Sequence, residues 1–228
     1  MGGRLTASPA LSHQMASALD PSPPLDLVAA RTLAHYESHA EAFWEGTRDH
    51  DVKQNYSALL DALGAVPPLR ILDFGCGPGR DLEALRMLGH HATGLDGCKA
   101  FVEMARRRSG CEVLQQNFLE LRLPLAGFDG IFANASLFHV PLEQLPKVIR
   151  ELRQALVPFG ALFCSNPRSF DVDTTGWQGE RYSCILTRET WVELFEGAGF
   201  VLERDFLRPP GKPPSEQPWL AMVWRNPL

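Results

Sequence analysis

The chain has 228 residues, 45% of them hydrophobic and 21% charged, which excludes wholesale disorder and leaves room for one cored domain with extensions. Its net charge of −5 speaks against a general binder of nucleic acid or anionic membrane, which needs a basic surface, and makes a small molecule the better first ligand. Five cysteines without a CxxC pair argue against a zinc site or a disulfide scaffold, and no apolar run approaches the roughly 20 residues of a membrane span, so a reduced cytoplasmic protein is expected.

Residues 1–26 are rich in Pro, Ser and Ala, lack the apolar run of a signal peptide, and read as a flexible leader before a single domain over 27–228. Residues 27–66 read as a helical lid and 67–228 as the core. In the lid, Tyr36, Ala40, Phe43 and Trp44 recur with helical spacing, as do Val52, Tyr56, Leu59, Leu60 and Leu63. The polar stretch Glu45 to Asp51 separates them. From Leu69 strand and helix alternate: strand LRILDF, a helix over 80–88, strand HATGLD, a helix from Lys99 to Arg108, then strands CEVLQQ and FDGIFANA. A helix follows from near Pro146 to Leu156, then strand ALFCS, a helix ending at Gly199, and strands FVLERDF and WLAMVWR. This alternation predicts an α/β fold with a seven-stranded, mostly parallel sheet covered by helices on both faces. Two final strands with no helix between them predict one antiparallel edge strand.

The segment ILDFGCGPGRD places Gly75, Gly77 and Gly79 directly after the first strand, where glycine lets the backbone turn sharply and approach a ligand. Asp73 precedes the loop, and Asp96 ends the next strand, where a carboxylate can accept bonds from ribose hydroxyls. A dinucleotide would want glycine where Arg80 stands, and Asp81 beside a diphosphate is unfavourable. A ligand with ribose and adenine but no phosphate fits better, and S-adenosylmethionine (SAM) is one.

ILDFGCGPGRD resembles the first motif of the class I SAM-dependent methyltransferases, and GLDGCKAFVEMAR, FDGIFANASLFHV and LVPFGALFCSNP resemble later ones in the same order. The resemblance covers about residues 69–225 and implies a Rossmann-like fold with SAM bound by Asp73, Gly75, Gly77, Asp96, Gly97, Asn117, Phe118 and Asn134. In CEVLQQNFLEL, Asn117 stands where acid is commoner. A narrower set, FWEGTRDHDVKQNY, FANASLFHVP, SNPR, GERY and EQPWLAMVWR, is similar to the C-terminal methyltransferase domain of ovothiol synthase. That implies transfer from SAM to an imidazole nitrogen of 5-thiohistidine, with S-adenosylhomocysteine (SAH) as product. It also implies functional pairing with an iron-dependent sulfoxide synthase, a portion this chain lacks.

Candidate site residues follow from position. Asn134 and Ser136 follow the fourth strand, where open α/β sheets bind ligands, although Asn at a strand end is often a turn residue. His139 titrates near neutrality and suits proton transfer or acceptor binding, or else is structural; Phe138 beside it reads as a pocket wall. Tyr36, Trp44 and Arg48 read as a lid over SAM, with Arg48 or the pair Asp49 and Asp51 touching a zwitterion; a core stripe and a solvated turn are the plain alternatives. Asn166, Arg168, Arg181 and Tyr182 lie after the fifth strand, and Arg168 or Arg181 is expected to clamp a carboxylate. Trp177 is a candidate cover. No metal site is expected. Two other functions stay open: methylation of a carboxylate or hydroxyl of another metabolite, and a non-catalytic SAM-binding accessory subunit. A nucleic-acid methyltransferase is disfavoured, with no basic tract and no base-flipping motif after the fourth strand.

Overall fold

The computed structural model describes residues 24–64 and 66–227, so most of the expected leader lies outside the described residues. Helices α1 (Leu25–Ser38), α2 (Ala40–Thr47) and α3 (Lys53–Leu63) precede the core. α1 starts inside the expected leader, and the stripe from Tyr36 to Trp44 is carried by two helices that meet at His39 rather than by one.

The core is β1 (Arg70–Phe74), α4 (Arg80–Met87), β2 (His91–Asp96), α5 (Lys99–Ser109), β3 (Glu112–Gln115), β4 (Phe128–Asn134), α6 (Leu145–Ala155) and β5 (Leu156–Pro167). It continues with β6 (Thr174–Gln178), β7 (Arg181–Ile185), α7 (Arg188–Gly197), β8 (Val201–Arg208) and β9 (Trp219–Arg225). Seven strands form one sheet in the order β3-β2-β1-β4-β5-β9-β8, parallel from β3 to β5. β9 is the expected antiparallel strand; it sits one place in from the edge, between β5 and β8.

Helix ends follow local chemistry. Asp81 and Glu83 lie in the first turn of α4 and Arg86 in its last, matching the helix dipole. Pro146 falls in the first turn of α6, where its missing N–H costs nothing. Thr187 caps α7 by accepting the Thr190 N–H. The central strands β1, β4, β5 and β9 are buried on both faces. One face packs Val148, Ile149 and Leu152 of α6 with Trp191 and Phe195 of α7, Phe195 stacking on Trp224 at 4.5 Å. The other packs Leu59, Leu82, Leu85 and Val102.

The hairpin β6–β7 was not expected from sequence. It turns at Gly179 and Glu180, with Gly179 at a left-handed φ of 63°. Arg31 of α1 reaches Glu180 with two hydrogen bonds of 2.6 and 2.9 Å, lies 4.4 Å from the Trp177 ring, and is followed by Thr32, which accepts the Tyr182 N–H. α1 and the hairpin are thereby fastened together at the C-terminal ends of the strands. No helix among the described residues is long and apolar enough to cross a membrane.

Candidate functional site

β1, β2 and β4 end beside one another, and their loops enclose a narrow cavity of about 100 Å³. Gly75 makes the approach possible: a Cβ there would stand 2.4 Å from the Ser136 Cβ, and its φ of 75° is one that side chains resist. Leu33, Phe101, Phe118 and Leu119 give apolar walls. Asp96 lines the same cavity, its two oxygens accepting the N–H of Gly77 (3.0 Å) and of Cys98 (2.8 Å). Burial pushes its carboxyl up to about 6, and those backbone donors hold it from rising further. The Asn117 Oδ1 accepts the Leu119 N–H at 3.0 Å, which fixes the amide and leaves its NH₂ facing no protein acceptor among the described residues. The buried Ser136 Oγ has no partner among the described residues. Apolar walls, a fixed carboxylate and an orphaned hydroxyl form a donor set that fits the adenosine of SAM.

A second, larger cavity of about 770 Å³ adjoins it. Its Asn134 is set by a chain of bonds: Asn55 Nδ2 donates to Asn134 Oδ1, and Asn134 Nδ2 donates to Asp81 Oδ2, each at 3.0 Å. Asp81 also accepts from Tyr56 Oη (2.8 Å) and from Arg80 Nε and Nη2 (2.6 and 3.0 Å). Arg80 Nη1 donates to the Thr47 carbonyl at 2.8 Å, tying the lid to the glycine loop. Asp73 lies under this network and lines neither cavity; burial, then the Asp81 charge, raise its carboxyl well above the usual range. Its role is beneath the loop rather than in the wall.

His139, Tyr36 and Arg181 meet where the cavities join. The Tyr182 carbonyl lies 2.7 Å from His139 Nδ1 and can only accept, so that nitrogen carries the proton. His139 Nε2 therefore accepts from Tyr36 Oη at 2.8 Å, and the same hydroxyl accepts from Arg181 Nη1 at 3.3 Å. Burial lowers His139 to about 4, so the imidazole is neutral at pH 7. Burial raises the Tyr36 phenol, opposed by Arg181. Phe138 packs on His139 with ring centres 4.1 Å apart.

Of the residues expected from sequence, the small cavity gathers Tyr36, Gly75, Gly77, Asp96, Gly97, Asn117, Phe118 and His139, and the larger one Trp44, Asp51, Asn134, Phe138 and Arg181. Besides Asp73, others lie elsewhere. Arg48 is exposed and paired with Glu45 (2.9 Å) and Asp49 (3.4 Å). Asn166 is buried within β5 opposite Leu220. Arg168 donates to the carbonyls of Gln217 (3.0 Å) and Pro214 (2.6 Å), pinning the segment between β8 and β9. Tyr182 reaches His139 only through its carbonyl, while its buried ring packs edge-on against Trp177. Sequence reading missed Gln178, Ser183, Arg208 and Trp219, all lining the larger cavity. The Gly-Glu turn was the available signal for Gln178 and Ser183; Arg208, at the end of a strand read as plain edge, had none.

Residues 71–160 match the family model of a methyltransferase domain. A probable tRNA methyltransferase 9B from Bos taurus is 33% identical over 138 residues, 54% of this chain and 30% of that protein. A ubiquinone biosynthesis O-methyltransferase from Marinobacter nauticus is 30% identical over 154 residues, 60% of this chain and 64% of the relative. The chain thus spans less than two thirds of either relative. Among solved structures, a 1,6-didemethyltoxoflavin-N1-methyltransferase from Burkholderia thailandensis, with 1,6-didemethyltoxoflavin and SAH bound, superposes with a TM-score of 0.76. The identity is 22%, covering 90% of this chain and 92% of that one, so the two share a fold.

Proposed function

We propose, from a methyltransferase domain at residues 71–160 set in a methyltransferase fold, that this chain is a SAM-dependent N-methyltransferase of a small molecule. The acceptor proposed is an imidazole nitrogen of 5-thiohistidine, in ovothiol biosynthesis, downstream of an iron-dependent sulfoxide synthase. One observation carries the reading: the narrow slot and the larger chamber share Tyr36, Phe43, Gly75, Gly77, Ala135 and His139 as walls. Ligands held in the two spaces meet at that boundary.

When bound, SAM supplies a methyl carbon on a cationic sulfur, open to in-line displacement. Asp96 would hold the ribose hydroxyls, Asn117 and Phe118 the adenine, and Gly75, Gly77 and Asn134 the methionine arm. Trp44, over whose ring Arg108 lies at 3.5 Å, closes the lid side. His139 positions rather than deprotonates: with a pKa of about 4 and its lone pair taken by Tyr36, it is a poor base at pH 7. A neutral imidazole needs none, because one ring nitrogen already offers a lone pair. A hydroxyl acceptor would need a base, which counts against it.

The chamber carries both signs of charge, Arg181 and Arg208 with Asp51, as an amino-acid acceptor requires. It is open against Asn134, Phe138 and His139, which supports turnover over an accessory role. A carboxylate acceptor is the second reading, favoured by the same arginines. Incubation of purified protein with SAM and 5-thiohistidine, histidine or simple carboxylic acids, with SAH quantified, separates them. SAH release confined to 5-thiohistidine is expected; release with carboxylic acids alone selects the second reading.

A further inference from the structure

Arg181 and Arg208 line the acceptor chamber, and among the described residues neither has a carboxylate within 4.0 Å. Arg80, the third guanidinium there, is neutralised by Asp81 at 2.6 Å. Arg208 is held along one edge only: Gln54 accepts from its Nε (2.7 Å) and Nη2 (3.1 Å), and the Asp51 carbonyl accepts from Nη2 at 3.4 Å. Its Nη1 has no partner among the described residues. Arg181 spends one donor on Tyr36, which leaves Nε and Nη2 without partners among the described residues. A guanidinium presents five donors in a plane that matches a carboxylate fork, and its charge cannot be shed. Two unneutralised cations on a concave wall, in a chain of net charge −5, mark the place of an anionic ligand.

Their surroundings differ. Arg208 adjoins the segment before α3, where Asp51 lines the chamber and spends only Oδ1, on the Lys53 N–H. Arg181 instead is bonded to the Tyr36 that meets His139. Taking the acceptor reading above as given, we infer that the two arginines form a two-point anion subsite that sets the acceptor's direction. Arg208 and Asp51 take the carboxylate and ammonium of the amino-acid head. Arg181 takes a second anionic group next to the reacting ring, which in 5-thiohistidine is the thiolate. Arg208 is then the specificity residue for α-carboxylate acceptors.

Binding to the SAH-loaded protein tests this without turnover, and SAH titration certifies that each variant is folded. In calorimetry, replacing 5-thiohistidine by its decarboxylated amine should weaken wild-type binding about 30-fold, the worth of a hydrogen bond to a charged group. In R208Q the same replacement should change nothing further; in R181Q the carboxylate should keep its value and the sulfur lose its own. A carboxylate preference undiminished in R208Q overturns the assignment. Should 5-thiohistidine fail to bind wild type, the acceptor reading falls, and succinate against succinamide then probes the subsite alone. Succinate preferred by wild type and not by R208Q upholds it; equal binding of the two probes overturns it.

Discussion

If Asp96 binds the ribose as a carboxylate, as proposed, it is poised to lose that form, and lowering the pH from 7 to 5 should weaken SAH binding about tenfold. Its folded pKa lies near 6, raised by burial above the ordinary aspartate range. A single group with that pKa is about 90% ionised at pH 7 and about 10% at pH 5, a ninefold difference worth about 1.3 kcal/mol. The sign also fixes stability. A carboxyl raised above its unfolded value favours the folded state below the unfolded pKa and loses that contribution as pH rises through 6. Stabilisation by SAH should therefore grow over the same interval. The α-amino and α-carboxyl groups of SAH titrate largely outside this window. Titration calorimetry in buffers of different ionisation enthalpy should show close to one proton released on binding at pH 5 and almost none at pH 7. D96N should bind weakly and without pH dependence. A wild-type Kd flat from pH 5 to 7, or a pH dependence that survives in D96N, refutes the reasoning.

G75A should destabilise the fold by about 2 kcal/mol or more, since its Cβ would lie 2.4 Å from the Ser136 Cβ at a left-handed φ; a melting temperature within a degree of wild type contradicts this. Y36F strands the acceptor at His139 Nε2 and one Arg181 donor, so kcat/KM should fall about tenfold, and unchanged turnover would reduce Tyr36 to a wall. R168A should lower the melting temperature by a few degrees while leaving the acceptor KM unaltered, because Arg168 serves backbone carbonyls away from the chamber; a raised KM would return it to the site.

The small cavity of the candidate site was legible because local sequence brings its walls together. Strand, glycine loop and helix bring Gly75 and Gly77 to Asp96 by adjacency of parallel strands, and Asn117 and Phe118 follow the next strand in turn. The acceptor half depends on long-range contacts. Arg208 enters the chamber because β9 inserts between β5 and β8, and Arg181 because a hairpin that alternation alone did not reveal is clamped by Arg31 of α1. Arg168 illustrates the limit: its position after β5 suited a clamp, yet two carbonyls in the segment before β9 claim its guanidinium. His139 was found by position, while its neutral state required the Tyr182 carbonyl and the buried Tyr36 hydroxyl to be in place.

The most direct measurement is the fate of the methyl group. Protein, SAM labelled with ¹³C in its methyl, and 5-thiohistidine would be followed by two-dimensional NMR. A new methyl resonance correlated to a ring carbon of the imidazole, growing in step with SAH, is the expected result. A label that stays on SAM, or appears on sulfur or on a carboxylate oxygen, contradicts ring-nitrogen methylation by this chain.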